Sequence, residues 1–189
     1  MAFIYDHLTA TILGISIFFL LVAVQLRSTE TSRDQARYYS AKTQVLNVKE
    51  MIEYDFENVG TGVAKYDPIF VSKTDSTFTF MEKVLPTDPD PSTVMYRRVP
   101  REVVTIEGEE VQLYEIQRLV EGVVTGKSPP TMKEFDVTLL NSNREVETNL
   151  TAVRAIQVRF TVLSPLGNKN ELHEARWNRT FWPPNLTNF

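Results

Sequence analysis

The residues best suited to metal or acid–base chemistry lie close together near the carboxyl end of the chain. Glu171, His173 and Glu174 fall within four positions, and imidazole and carboxylate groups are ordinary zinc ligands. His7 is the other histidine of the sequence, and it lies at the edge of an apolar segment. Residues 168–174 are polar except for Leu172, which is typical of a hairpin tip. We therefore favour a polar turn over a metal site here.

No other motif predicts catalysis. The sequence has no Gly-x-Ser-x-Gly, no glycine-rich phosphate loop and no His-Glu-x-x-His. It has no cysteine, which excludes disulfides, thiolate zinc sites and cysteine nucleophiles. Residues 87–91 carry two aspartates between prolines, whereas calcium prefers about six to eight oxygen ligands, so we expect a rigid loop. We expect a protein that is not an enzyme and holds no cofactor or metal.

Three asparagines match the acceptor pattern for glycosylation, Asn-x-Ser/Thr. They are Asn149, Asn178 and Asn185. Modification of an exported protein and chance in a tail rich in Thr and Asn explain the matches about equally well. Three aromatic residues lie in the same region, and we expect them in the core or at subunit contacts rather than as a carbohydrate platform. They are Trp177, Phe181 and Trp182.

Composition and charge limit the class of protein. The 189 residues carry a net charge of −4, which argues against a nucleic-acid partner because such partners usually require a basic surface. Outside the apolar segment about 160 residues remain, enough for one domain with its own core.

An uncharged segment of nineteen residues, 8–26, lies almost at the start of the chain. As a helix it would span about 28 Å, close to the roughly 30 Å hydrocarbon core of a bilayer. A cleavable signal peptide would need a basic start, a shorter apolar run and a small-residue cleavage site, and this sequence shows none of them. We therefore predict a retained helix in a membrane or a filament core. The residues expected to make that contact are Leu8, Ile12, Ile15, Phe18, Phe19, Leu21, Val22 and Leu26.

The helical pattern continues beyond the apolar segment. Residues 27–42 are polar and contain no Gly or Pro. Apolar residues then recur three or four positions apart, which is the stripe of a helix lying on a core. These residues are Val45, Val48, Ile52, Phe56 and Val59. With Gly60 as its C-terminal cap, the pattern predicts one helix over residues 8–59, about 78 Å long, within an N-terminal unit of residues 1–62.

After Gly62 the apolar period changes from about 3.6 to 2, which predicts a β-rich unit over residues 63–189. The predicted strands cover residues 77–80, 94–97, 111–116, 153–163 and 176–182, and the predicted turns cover residues 86–91, 107–110, 126–130 and 165–168. No helical pattern separates the strands, so we expect antiparallel pairing, with Thr161 among the residues that face water. The predicted fold is α+β, a long N-terminal helix packed on an antiparallel sheet.

This plan resembles the type IV pilins and the pseudopilins of type II secretion, in particular the larger minor pilins and minor pseudopilins. The helix end at residues 51–60 (MIEYDFENVG), the strand patterns at 76–80 and 94–98, and the late strand at 152–162 are similar to theirs. The family's Gly-Phe leader junction and its glutamate near the mature start are absent from this sequence. The resemblance implies a structural subunit that assembles with copies of itself or other pilin-like subunits, assisted by inner-membrane assembly machinery.

Two residues are candidates for roles that the resemblance implies. Asp6 would replace the family's glutamate, which neutralises the α-amino group of a neighbouring subunit inside an apolar filament core. A polar flank of the membrane helix explains Asp6 slightly better. Gly14 is a candidate position for loosening of the helix in a filament, although a lone glycine in a membrane helix more often marks close packing.

Charge and resemblance disagree on topology. Arg27, Arg33, Arg37 and Lys42 follow the apolar segment and no Lys or Arg precedes it, so the positive-inside rule places the C-terminal unit in the cytoplasm. The resemblance places that unit outside the cytoplasm on a single-pass inner-membrane protein, and on the cell surface or in an extracellular filament after assembly. We follow the resemblance. The alternative is a membrane-anchored subunit of a non-filamentous complex that docks partners through its β-domain.

Overall fold

A single helix forms the first third of the chain. In the computed structural model, which describes residues 2–106, 108–163 and 174–186, helix α1 spans Ala2–Asn58. It is about 86 Å long at 1.5 Å per residue. Its sequence contains no proline, and Gly14 is its one glycine. The predicted helix is therefore present, and it begins six residues earlier than the pattern of residues 8–59 indicates.

Gly60 ends the helix for two physical reasons. Its φ of +77° lies in the left-handed region, where a side chain is strained. A Cβ at this position would also lie 2.7 Å from Cδ1 of Ile69. The backbone amide of Gly60 bonds outside the helix, since it donates to the carbonyl of Met81 at 2.9 Å. The chain thus leaves the helix and meets the sheet within two residues.

Eight strands form one antiparallel sheet, which confirms the predicted α+β class. The strands are β1 (Phe70–Lys73), β2 (Thr77–Glu82), β3 (Ser92–Ile106), β4 (Glu109–Val120), β5 (Val123–Lys127), β6 (Met132–Leu140), β7 (Ala155–Leu163) and β8 (Glu174–Phe181). Their order is β1-β2-β3-β4-β6-β7-β8, and β5 pairs with β4. A short 3₁₀ turn, Pro184–Leu186, follows β8.

Some predicted boundaries are wrong. Strands β1, β5 and β6 lie outside the predicted strand segments. Gly126 and Lys127 belong to β5 rather than to a turn, since β5 pairs with β4 through Gly126 opposite Arg118. Glu109 and Glu110 begin β4 rather than ending a turn, because β3 and β4 form a long hairpin. The turn predicted at residues 165–168 lies outside the described residues.

The apolar stripe of α1 lies in the main core. All five of its residues are buried there, namely Val45, Val48, Ile52, Phe56 and Val59. The Phe56 ring is surrounded by other aromatic rings at centroid distances of 5.4 to 5.6 Å. Those rings belong to Phe78, Phe80, Tyr96 and Phe181. One face of α1 and one face of the sheet therefore share a single aromatic core.

The opposite face of the sheet is less open to water than predicted. Thr161 is buried, and its hydroxyl donates to Oε2 of Glu134 at 3.3 Å, so the prediction that it faces water is wrong. Glu115 is also buried, and its carboxylate accepts hydrogen bonds from Gln117 at 2.7 Å and Arg101 at 2.8 Å. On this face, long polar side chains of neighbouring residues therefore shield one another from water.

Replacing Phe56 by alanine should lower the free energy of unfolding by about 3–5 kcal/mol, because it removes a fully buried ring and leaves a cavity. Leu46→Ala on the same helix is the control, since Leu46 is 43% exposed and its loss should cost about 0.5 kcal/mol or less. Denaturant unfolding of the two variants in detergent micelles measures the difference. Equal losses would contradict the account of the core.

Candidate functional site

The apolar segment of α1 has no intramolecular cover in the described part of the chain. Every residue from 7 to 36 is exposed, including the eight residues expected to make the membrane or filament contact. Phe18 and Phe19 are 63% and 65% exposed. Apolar side chains that surround a helix on all sides need lipid or other helices around them, since water is a poor solvent for them. This segment is the first element of the candidate site.

Polar side chains within the segment bond to the helix itself. The hydroxyl of Thr11 donates to the carbonyl of His7 at 2.8 Å, and that of Ser16 donates to the carbonyl of Ile12 at 2.9 Å. A bilayer interior offers no water to satisfy such groups, so internal bonding suits it. One helix near the N-terminus is long enough and apolar enough to cross a membrane.

The structure describes the surroundings of Gly14 but not the side chain of Asp6. The helix is continuous through Gly14, and beyond the adjoining helix backbone no atom lies within 4 Å of the position that a Cβ would take. The space beside Gly14 is therefore open to another helix, and loosening in a filament stays a prediction. The side chain of Asp6 lies outside the described residues, as do Glu171 and His173.

A polar stalk separates the apolar segment from the sheet. Residues 27–40 form this stalk, which is about 21 Å long. Within it Arg37 pairs with Asp34 at 3.2 Å, and Tyr38 and Tyr39 are both more than half exposed. The helix becomes buried at Ala41, which is 1% exposed. The apolar segment is therefore held well away from the sheet by rigid helix.

A buried group of charges joins α1 to the sheet. We call Asp55, Glu82, Tyr96 and Arg118 the junction cluster. Asp55 on α1 pairs through both oxygens with Arg118 on β4, at 2.5 Å from Nε to Oδ2 and 2.9 Å from Nη2 to Oδ1. The hydroxyl of Tyr96 on β3 donates to the same Oδ2 at 2.7 Å. Side chains of two strands, β3 and β4, thus bind one carboxylate of the helix.

Glu82 supplies the cluster with a second, neutral carboxyl group. It is fully buried, and neither of its carboxyl oxygens has a hydrogen-bond partner among the described residues. The Nη2 of Arg118 lies 3.8 Å away and is already bonded to Asp55. Burial, reinforced by the charge of Asp55, raises the pKa of Glu82 to about 9. At neutral pH the cluster therefore holds one positive and one negative charge.

A second group of ion pairs joins α1 to the sheet at a more exposed position. Arg179 on β8 donates to the carboxylates of Glu53 and Glu57 on α1, the latter at 2.8 Å. Its side chain is 43% exposed, so solvent screens this contact and it contributes little to stability. The buried cluster is thus the stronger determinant of how α1 sits on the sheet.

The three candidate glycosylation sites differ in exposure. Asn149 and Asn178 are exposed. Asn185 is half-buried, and its Nδ2, the atom that a glycan would be attached to, donates to the carbonyl of Val59 at 3.3 Å and to the hydroxyl of Thr61 at 3.0 Å. Attachment at Asn185 would break its bonds to the end of α1, so Asn149 and Asn178 are the better candidates.

The remaining candidates from the sequence are the C-terminal aromatic residues and the aspartates of the loop at residues 87–91. Trp177 packs against the main core, Phe181 is buried within it, and Trp182 is 46% exposed beside Arg144. Asp88 accepts a hydrogen bond from the Leu85 amide at 2.8 Å, which shapes the loop that follows β2. Among the described residues, no group of three His, Cys, Asp or Glu side chains is placed to hold a metal ion.

Fold and site together define a class of protein. It is an α+β protein whose long helix presents an uncovered apolar segment at one end and is locked to an antiparallel sheet at the other. Comparison of the chain with protein-family models, with curated proteins and with solved structures found no significant match. The argument on function therefore proceeds from the helix and its surroundings.

Replacing Asp55 by asparagine should lower the free energy of unfolding by about 3–5 kcal/mol, because it leaves the Arg118 guanidinium buried without its counter-charge. Asp34→Asn is the matched control, since the Asp34 side chain on the stalk is 55% exposed and loss of such a surface charge costs about 0–1 kcal/mol. Unfolding curves in detergent micelles distinguish the two, and similar small losses for both variants would show that the cluster does not hold the junction.

Replacing Glu82 by glutamine should flatten the pH dependence of stability. Since the folded-state pKa of Glu82 is about 9, against an ordinary 4.5, the folded protein keeps a proton that the unfolded chain releases. Its contribution to stability is complete below about pH 4.5 and is lost as the pH rises toward 9. Between pH 5 and pH 8 the wild-type chain should lose more unfolding free energy than Glu82→Gln. Parallel pH profiles would contradict this account.

Proposed function

We propose that the protein is a structural subunit of a pilin-like filament or pseudopilus, which assembles through the apolar segment of α1. The observation that carries the proposal is that residues 7–36 are exposed on an unbroken helix that continues into the core of a folded domain. An anchor alone needs about 20 apolar residues and no rigid extension. Here rigid helix continues from the apolar segment to the sheet.

The stalk supports contact between copies rather than simple tethering. Its side chains carry both signs of charge, and most of the stalk lies free of the sheet. A lone polar helix gains little stability from such a surface, since isolated helices in water are marginal. Parallel helices from neighbouring copies would bring these charges together as intersubunit pairs. The pairing would set the register between copies that apolar packing alone leaves loose.

Exchange of lipid for neighbouring helices keeps the apolar segment covered throughout assembly. Before assembly the subunit lies in the membrane with residues 8–26 in the hydrocarbon core. On assembly this segment moves into a bundle of the corresponding helices of other copies, without exposure to water. Packing of one helix surface against a different surface of the next copy is a head-to-tail contact, which produces a filament when the rotation does not close.

The proposed location follows from the same assembly. The chain would be a single-pass inner-membrane protein with its sheet domain outside the cytoplasm, and it would reach the cell surface or an extracellular filament after assembly. Its partners would be copies of itself, other pilin-like subunits and the inner-membrane machinery that assembles them. The sheet domain would form the outer layer of the filament.

A single engineered thiol tests the helix contact, because the chain has no cysteine of its own. Leu20→Cys places one thiol in the apolar segment, where Leu20 is 65% exposed. Oxidation in intact cells should produce a disulfide dimer at twice the 21.7 kDa mass of the chain. Tyr66→Cys on the sheet domain, at a residue that is 92% exposed, measures how often copies collide at random.

The outcome separates the two candidate functions. Dimers from Leu20→Cys well above those from Tyr66→Cys support packing between copies. Dimers no more abundant than those of the control would reject packing between copies and favour the membrane-anchored docking subunit.

A further inference from the structure

A concave cavity opens on the sheet where β4 and β6 separate. These neighbouring strands share one residue pair, Tyr114 with Met132. The cavity has a volume of about 430 Å³ and lies between the β1–β2 turn and the middle of β6. Small-molecule sites typically have volumes of about 300–1,000 Å³. Residues of α1 are absent from its described lining, so it is separate from the apolar segment and the stalk.

Arg98 on β3 is the unusual residue of this cavity. Its guanidinium lies over the ring of Tyr114, with 4.6 Å between Cζ and the ring centroid, and the side chain is half-buried. Among the described residues the guanidinium has no hydrogen bond or ion pair. A half-buried guanidinium without an acceptor is costly, and its planar fork of donors fits a carboxylate through two parallel hydrogen bonds.

Three other cations line the cavity: Lys133 and Arg159 each face a carboxylate, and Lys73 at the end of β1 is exposed to solvent. Arg159 lies 3.8 Å from the carboxylate of Asp136, and Lys133 lies 2.5 Å from that of Glu174. Arg98 is therefore the half-buried cation of the lining that has no carboxylate partner among the described residues, and a bound anion would be directed to it with exposed Lys73 as a second positive charge.

The rest of the lining favours hydroxyl groups on the same ligand. Asp75, Glu134 and Asp136 lie around the cavity with Ser76 and Thr77. Carboxylates accept hydrogen bonds from hydroxyls and repel further negative charge, while serine and threonine both donate and accept. The ring of Phe135 adds an apolar surface. The lining thus fits one carboxylate, several hydroxyls and a partly apolar ring.

We propose that this cavity binds an acidic monosaccharide, with its carboxylate on Arg98 and its hydroxyls on the acidic and hydroxyl side chains of the lining. The site is independent of the proposed filament contact, since the two share no residue. It would give the sheet domain a carbohydrate ligand of its own.

Calorimetric titration of the full chain in detergent micelles tests the site. The probes are D-galacturonate, D-glucuronate and N-acetylneuraminate, with D-galactose, lactate and acetylglycylglycine for comparison. At least one sugar acid should bind, and Arg98→Gln should weaken that binding at least tenfold. Arg98→Lys should give an intermediate affinity, because the charge remains and the fork is lost.

Arg97→Gln is the matched control. Arg97 precedes Arg98 on the opposite face of β3 and donates to Gln117 at 2.7 Å, so its replacement removes the same charge without touching the cavity. Binding should change less than twofold, and equal unfolding temperatures would show that both variants fold. Absence of binding by every sugar acid at 10 mM would overturn the site, as would equal weakening by both variants. Tighter binding of lactate or acetylglycylglycine than of any sugar acid would overturn the ligand class.

Discussion

The packing of residues 41–59 of α1 on the core face of the sheet is the contact on which the rest of the molecule depends. The Phe56 ring lies within four other rings, and the stripe around it is buried along its whole length. A helix gains most of its stability in water from such packing rather than from its own propensity. Because this half is fixed, the stalk and the apolar segment extend from the domain in a defined direction. The uncovered end of α1 is thus presented by a rigid support.

The junction cluster adds specificity to that packing. The bidentate pair between Asp55 and Arg118 forms at one position of α1 on the sheet, so it disfavours shifted positions of the helix in addition to the apolar packing. Buried ion pairs stabilise proteins weakly, since desolvation offsets most of their attraction, but loss of one partner is costly. The neutral state of Glu82 keeps the cluster balanced at neutral pH. We infer that the cluster fixes the position of α1 on the sheet more than it raises the total stability.

Local periodicity predicted the parts of the fold that repeat along the chain. The helix and its stripe follow from spacings of three and four residues, and β7 follows from alternation. The alternating Phe135, Val137 and Leu139 of β6 carried a similar signal, so that strand was within reach of sequence reasoning. Strands β1 and β5 have four and five residues, too few for a clear period.

The sequence predicted the apolar segment but neither the junction cluster nor the cavity around Arg98, and the reason is physical. The apolar segment is a property of composition, and the sequence alone indicates it. The junction cluster joins residues that lie far apart along the chain, and Asp55 stands among acidic residues of a helix that otherwise face solvent. The cavity around Arg98 exists because β4 and β6 separate after one residue pair. Such sites depend on which strands become neighbours, and no local pattern records that.

Mechanical shearing of cells that produce the chain tests the central claim most directly. The sheared material and the membranes are separated, the chain is assayed in each fraction, and the sheared material is imaged. Filaments that contain the chain are the predicted result. Recovery of the chain in detergent-soluble membrane complexes alone, with no polymer under any growth condition, would contradict a role as the main filament subunit and leave a rare minor pilin or the docking subunit as the better description.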